Sequence, residues 1–382
     1  MQSRNVIVIG IATILHISLV SCHSDTYLGR WFLWRSSDIE DHKRFPSYSF
    51  LRSEKPYLFP GNHHEQLDSL KFGNNKKEDL THILQSSGTT AFLIIKNDTL
   101  IYERYFNGYD RSSVNTSFSV AKSITGLLIG AAIDEAIIDS KNDVVTKYIP
   151  QLADTDPQYE NITIAHLLNM KSGIRFRDHD LPWGDKPKAY YDPMLRDRIL
   201  RLPVDYAPGA KFKYNSYNPI LLGMILESQL DKSVARYFEE KLWNNLGMEY
   251  SGSWSMDSKV SGMTKMESGL NLRAIDFAKF GKLVLDKGFF RGKRILSEEW
   301  LSEYTTTDKT YRPEGFSEEL RYKNLWWMYV GPDEKVNIIS GWGHLGQYLF
   351  IFPNERIIIV RMGKSTGDIR WKDLFNQISR TL

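Results

Sequence analysis

Cysteine is almost absent: Cys22 is the only one among 382 residues, which excludes a disulfide within one chain. A dominant charge sign is absent too. The 49 Lys and Arg residues nearly cancel the 46 Asp and Glu, leaving a formal net charge of +3. No basic block stands out, so nucleic acid is not an expected partner. There is no glycine-rich phosphate loop, no zinc-ligand spacing and no internal repeat, and no cofactor is called for. His63-His64 and Asp178-His179-Asp180 are metal-like only in composition, and no metal is assigned to them. A long hydrophobic run is missing as well. The apolar stretch from Val6 to Val20 is short for a bilayer and is interrupted by His16.

That stretch has the form of an export leader. Met1-Gln2-Ser3-Arg4 gives a short basic start, the apolar core follows, and small residues precede a cut. Leu19-Val20-Ser21-Cys22 resembles the bacterial lipobox, whose cysteine becomes the lipid-modified N-terminus. The expectation is a signal peptide over 1–21 and an exported lipoprotein, held through Cys22 to a membrane facing the periplasm or the cell surface.

The remaining residues, 22–382, suffice for one large or two interleaved domains. From 22 to 75 the chain is aromatic and proline-punctuated, and reads as an extended wrapping segment. Glu78 to Gln85 suggests a short helix. Thr90 to Lys96 and Thr99 to Phe106 read as a β-hairpin turned by Asn97-Asp98. Helical spacing then dominates to about residue 305, over Tyr148–Leu152, Ile164–Met170, Leu221–Ser228, Ser233–Leu246 and Ala274–Leu285. Strands return at Val336–Ser340, Tyr348–Phe352 and Arg356–Arg361, before a closing helix from Asp368 to about Ser379. Strands at both ends around a helical middle imply an α+β architecture. Residues 76–118 and 306–382 would build an antiparallel sheet domain flanked by helices, and 119–305 an inserted all-helical domain, with the active site at their interface.

One stretch concentrates chemistry. Phe118-Ser119-Val120-Ala121-Lys122 opens a run that continues Ser123-Ile124-Thr125-Gly126-Leu127-Leu128, apolar or small throughout and therefore a buried helix. Thr116 and Ser117 stand before it as candidate N-caps. Residues three apart share a helix face, which brings the Lys122 amine to the Ser119 hydroxyl. Burial favours a neutral lysine, and a neutral amine against a serine is a general base against a nucleophile. The helix start also offers unsatisfied N–H groups to developing negative charge.

Two further stretches extend the pattern: Lys213-Tyr214-Asn215-Ser216 and Gly341-Trp342-Gly343-His344-Leu345-Gly346-Gln347. With Ser119-x-x-Lys122 they resemble, in order and separation, the three motifs of the serine β-lactamase and penicillin-binding-protein superfamily. The resemblance is closest to its esterases and aminohexanoate-oligomer hydrolases. It runs from about Phe92 to the C-terminus, through Leu167-Leu168-Asn169-Met170-Lys171-Ser172-Gly173 and Asp276-Phe277-Ala278-Lys279-Phe280-Gly281. It implies that Ser119 is the acylating nucleophile, that Lys122 and Tyr214 move the proton as a coupled unit, and that the Ser119 and Gln347 backbone N–H groups form an oxyanion hole. Ser216, His344 and Gly346 would meet the substrate, an ester or amide of small-molecule or peptide-like size.

Two departures bear on specificity. Ser216 replaces the asparagine of the second motif, and His344 replaces the lysine of the third. A histidine near pKa 6.5 is mostly neutral at pH 7, which argues against efficient β-lactam hydrolysis. The alternatives are a D-alanyl-D-alanine peptidase or β-lactamase and, from another class, a non-catalytic binding module of the same fold. The loop from Arg175 to Pro193, with Trp183, Tyr190 and Tyr191, is the expected apolar rim of the cleft, and Lys171 and Arg175 are the reserve cations.

Overall fold

In the computed structural model, residues 24–61, 64, 67–68, 70–72 and 78–382 are described; the leader, Cys22 and His63 lie outside them. Among the described residues no helix is long and apolar enough to cross a membrane.

The chain's most apolar strands make one sheet from both ends of the sequence. Helix α1 (Tyr27–Trp34) and strand β1 (Ser47–Phe50) come first, then the hairpin β2 (Thr89–Lys96) and β3 (Thr99–Tyr105). Strand β4 (Asn115–Thr116) leads into helix α2 (Val120–Asp134), and helix α3 (Tyr217–Gln229), strands β5 (Gly252–Ser255) and β6 (Leu270–Leu272) and helix α4 (Ala274–Leu285) follow. Strands β7 (Leu320–Lys323), β8 (Trp326–Val330), β9 (Val336–Gly343), β10 (Gln347–Phe352) and β11 (Ile357–Gly363) precede helix α5 (Trp371–Thr381). The large sheet runs β7-β8-β9-β10-β11-β2-β3, antiparallel at every step.

Both faces of this sheet are covered, which explains why its central strands are almost uniformly apolar. Successive side chains point to opposite faces. Leu93, Ile95, Leu349 and Ile358 join the core shared with α2 and α4. Phe92, Ile94, Phe350 and Ile359 join a second core with Phe375 and Ile378 of α5 and with Leu80, Ile83 and Leu84. This is the α+β architecture expected, and α4 has the bounds that its spacing predicts.

Several local expectations need correction. The middle of the chain is rich in helices but also carries a second sheet, in the order β1-β5-β6-β4. Its strands are too short for an alternating pattern to register. Strands β7 and β8 were not anticipated either; Arg321 and Lys323 in β7 and three bulky aromatics in β8 mask the period. Tyr148–Leu152 is not a helix: Pro150 separates a 3-10 turn at Val145–Lys147 from a short helix at Leu152–Thr155. The wrapping segment holds helix α1, and Glu78 and Asp79 are strand rather than helix.

Helix α2 is buried from Val120 to Ala132. An all-round apolar helix belongs inside, and α2 lies against α3 and the sheet. Two glycines let β9 reach its first turn. A Cβ on Gly343 would collide with the Ser117 carbonyl, and one on Gly341 would lie 2.6 Å from the Val120 side chain. The third motif is thereby pressed against the first.

Candidate active site

The serine is presented by an unusual turn. Phe118 adopts φ 47°, a left-handed conformation that is costly for a bulky residue. Ser119 follows at the N-cap position of α2, yet its hydroxyl caps nothing. Neither Thr116 nor Ser117 is the cap. Thr116 belongs to β4 and hydrogen-bonds Asn271 Oδ1 at 2.9 Å, while the Ser117 N–H donates to the Leu270 carbonyl. The Ser119 hydroxyl instead accepts a hydrogen bond from Lys122 Nζ at 2.8 Å. Among the described residues no protein acceptor meets the Ser119 N–H, which stays available to a ligand oxygen.

Lys122 is 2% exposed and has no carboxylate within salt-bridge distance among the described residues. Its second hydrogen bond goes to the Glu267 backbone carbonyl at 2.9 Å. Burial lowers its pKa from 10.5 to about 7, the Glu267 carboxylate opposing and Lys265 reinforcing that shift. Glu267 and Lys265 form a buried ion pair at 2.8 Å, in which Ser268 Oγ also donates to Glu267. The other carboxylate oxygen, Oε2, has no partner among the described residues.

Tyr214 enters from the turn before α3. Lys213 N–H donates to the Met170 carbonyl at 2.8 Å, and Asn215 Nδ2 to that of Ile174 at 2.9 Å. Ser172 Oγ donates to Asn218 Oδ1 at 2.7 Å. The stretch Leu167–Gly173 thus acts as the bracket of the second motif. The Tyr214 ring stacks on Trp327 with centroids 5.8 Å apart, and its centroid is 5.2 Å from Lys122 Nζ. Burial drives its pKa up to about 12, partly offset by a hydrogen bond with Ser119 and reinforced by Asp178. Desolvation dominates at both groups: it lowers the Lys122 pKa and raises that of Tyr214, so the neutral form of each is favoured.

Ser119, Lys122, Tyr214, Ser216 and His344 all line one cavity of about 380 Å³. His344 lies in a turn between β9 and β10 with its ring edge-on to Phe118, centroids 5.4 Å apart. Desolvation by the surrounding protein lowers its pKa, and Lys186 pushes the same way. Gly346 is buried at φ 83° and does not itself line the cavity; a Cβ on it would meet the Arg361 guanidinium. Gln347 is fully buried, its side-chain amide bonded to the Gly363 N–H and carbonyl and to the His344 carbonyl. It pairs with Gly343 across the β9–β10 ladder, beside the Ser117 turn.

The rim also differs in part. Tyr190 and Tyr191 line the cavity; Trp183 does not, and is 59% exposed. Lys171 and Arg175 are engaged elsewhere, with the Thr310 carbonyl and with Asp205. Besides Lys122, the basic side chains on the cavity wall are Arg35 and Lys186, the latter paired with Asp180 at 2.9 Å. Among the described residues no group of three or more His, Cys, Asp or Glu is placed to hold a metal ion.

Sequence reasoning missed the Lys265–Glu267 pair and Arg361. Arg361 is fully buried in β11, with no carboxylate partner among the described residues. It donates to the carbonyls of Gly346 at 2.7 Å, Ser365 at 2.7 Å and Ser87 at 3.1 Å, and to Thr89 Oγ1 at 2.9 Å. A lone cation in the apolar run Ile357–Met362 was the available signal.

Comparison with known proteins places these elements in context. The family model described as Beta-lactamase matches residues 81–371. A 6-aminohexanoate-dimer hydrolase of Paenarthrobacter ureafaciens is 27% identical over 300 residues, covering 74% of each chain. A putative D-alanyl-D-alanine carboxypeptidase of Escherichia coli (strain K12) is 26% identical over 181 residues, 42% of each chain. Among solved structures, a putative 6-aminohexanoate-dimer hydrolase from Bacillus anthracis superposes with a TM-score of 0.81. It has 23% identity and covers 93% of this chain and 94% of its own.

Proposed function

The chain belongs to the beta-lactamase family and is a hydrolase of that superfamily, and from that premise we propose that it cleaves an ester or amide through an acyl-enzyme on Ser119. The observation that carries the reading is the 2.8 Å hydrogen bond from Lys122 to Ser119, made by a buried lysine whose pKa falls to about 7. Near neutral pH a large fraction of that amine is free to accept a proton, the condition a general base requires.

Neutral Lys122 takes the Ser119 proton as Oγ attacks the substrate carbonyl carbon. The carbonyl π pair moves onto oxygen, where the N–H groups of Ser119 and Gln347 receive it. As the carbonyl reforms, the bond to the alkoxide or amine breaks and Tyr214 protonates the leaving group. The Lys122 ammonium returns a proton to Tyr214. Water then attacks the acyl-enzyme, gives its proton to the same Lys122–Tyr214 unit, and Ser119 Oγ departs reprotonated. The pKa of about 12 at Tyr214 makes the phenol a proton donor rather than the first base. No metal or organic cofactor takes part in these steps.

The neutral His344, with Asp178 and Asp180 at the mouth, suits an uncharged ester or amide better than a carboxylate-bearing β-lactam. A D-Ala-D-Ala peptidase is the second reading. Arg35 favours it, since that cation lines the cavity with no ion-pair partner among the described residues. Turnover of short p-nitrophenyl esters, linear amides, D-Ala-D-Ala peptides and a chromogenic cephalosporin by wild type and Ser119→Ala tests both. Turnover confined to peptides ending in a free D-Ala carboxylate would select the second.

A further inference from the structure

Six of the 11 large apolar side chains left exposed among the described residues lie in two segments, α1 and residues 181–194. Leu28, Phe32 and Leu33 of α1 are 52%, 53% and 46% exposed, and Leu181, Trp183 and Met194 are 50%, 59% and 39% exposed. Hydrogen bonds hold the two segments together. Tyr27 Oη donates to the Pro182 carbonyl at 2.6 Å, Trp31 Nε1 to that of Asp180 at 3.4 Å, and Arg30 to that of Tyr191 at 3.3 Å. Tyr27 and Trp31, one helical turn apart, therefore face residues 180–182. Leu28 and Phe32 share the neighbouring face of α1, turned by about 100° from Tyr27 and Trp31.

This corner borders the active-site mouth. Trp31 and Arg35 from the α1 end, and Asp180 and Lys186 from the facing segment, all line the cavity that holds Ser119. Its apolar part is Leu, Phe and Trp, residue types found at a bilayer interface, and its edge carries Arg35 and Lys186 together with Asp178 and Asp180. The covalent chain supplies the second argument. Tyr27 stands five residues after Cys22, at which the apolar leader and the lipobox-like run end. Five residues reach at most about 17 Å. A lipid on Cys22 would keep the start of α1 within about 17 Å of the membrane surface.

We propose that this corner is a membrane-docking surface: Leu28, Phe32, Leu181 and Trp183 enter the interface of the bilayer that carries the lipid anchor. The cavity mouth beside them then opens onto that bilayer, and the favoured substrates are amphiphilic esters or amides with the apolar part in the membrane. The docking itself rests on the expected lipid at Cys22 and not on the Ser119 chemistry. The substrate consequence rests on both.

The test uses the full chain, reconstituted into phosphatidylethanolamine–phosphatidylglycerol vesicles containing brominated acyl chains. Because Cys22 is the only cysteine, Phe32→Cys, Trp183→Cys and, as an exposed control, Phe289→Cys each take one added environment-sensitive fluorophore, with labelled wild type as background. Strong quenching at 32 and 183, several-fold above that at 289, is expected. Equal, weak quenching at all three overturns the proposal, whether or not Cys22 carries lipid. So does protection at 32 and 183 that follows protein concentration rather than vesicles, which would mark a second copy as the occupant. Leu28→Ser with Phe32→Ser should slow hydrolysis of a vesicle-embedded long-chain p-nitrophenyl ester at least several-fold and spare a soluble acetate ester. Equal rates on the embedded ester overturn the substrate consequence. If wild type cleaves neither ester, the hydrolase reading fails while the quenching result still decides the docking.

Discussion

Lys122 Nζ donates to Ser119 Oγ at 2.8 Å from a side chain that is 2% exposed and lacks a carboxylate within salt-bridge reach among the described residues. An ammonium in that setting is destabilised, which is why its pKa lies near 7 rather than 10.5. The rate and the stability of the protein should both carry this signature.

The base must be neutral, so kcat/KM for a neutral ester should rise with pH through about 7 and then level off. Stability moves in the same direction. The folded pKa is lower than the unfolded one, so the unfolded chain binds more protons between about pH 7 and 10.5. The penalty is full below that window and fades as pH rises through it. Lys122→Met should therefore abolish most turnover, yet stabilise the fold at pH 7 by roughly 2–4 kcal/mol. Calorimetry checks it; a lower Tm for the variant would contradict the reading of Lys122 as a desolvated base.

The Lys265–Glu267 pair should tune that base. Glu267 raises and Lys265 lowers the Lys122 pKa. Glu267→Gln should move the acid limb of the pH profile to lower pH, and Lys265→Met should move it to higher pH. General disruption would not shift the limb in opposite directions. Full pH–rate profiles of both variants make the comparison.

Arg361 should act at a distance from the substrate. It bonds the carbonyl of Gly346 and stacks over Trp371, its Cζ 3.9 Å from the ring centroid, so it holds the turn that leads to Gln347. Arg361→Met leaves several buried carbonyls unpaired and should cost about 2–4 kcal/mol of stability. At a temperature where the variant is folded, kcat should fall more than tenfold with KM changed little, the pattern of lost transition-state binding. Lysine cannot reproduce the planar fork and should rescue poorly. Unchanged kcat in a folded variant would separate Arg361 from the oxyanion hole.

His344 sets the expectation for substrate charge. Desolvation lowers its pKa below the usual histidine value, so it should be mostly neutral from pH 7 to 8. The ratio of kcat/KM for a carboxylate-bearing ester to that for its neutral match should be flat over that range. His344→Lys should raise the ratio by about tenfold, the worth of one charge-assisted hydrogen bond. A ratio that ignores the substitution would place the substrate carboxylate elsewhere, with Arg35 the next position to change.

The parts legible in the sequence were those where local pattern and final environment agree. Helix α2 is apolar on every side because it is buried on every side. Strands β2, β10 and β11 are apolar runs because both sheet faces are covered. Ser119, Lys122, Tyr214, Ser216 and His344 were found through motif spacing, and the fold brings them to one cavity. The hydrogen bond from Lys122 to Glu267 was invisible because its acceptor is a backbone carbonyl, which any residue possesses. The closeness of Gly343 to Ser117 depends on a sheet contact across more than two hundred residues, which no local window contains. The small sheet escaped notice because β4 spans two residues and β6 only three.

The most direct test of the account is covalent trapping at Ser119. Intact-mass and peptide mapping after a fluorophosphonate, and after rapid acid quench of a slow p-nitrophenyl ester, should give one adduct per chain on the peptide bearing Ser119. Folded Ser119→Ala should give none and lose at least about 10⁴-fold in turnover. An adduct on another residue, or ester turnover by folded Ser119→Ala at the wild-type rate, would contradict the assignment.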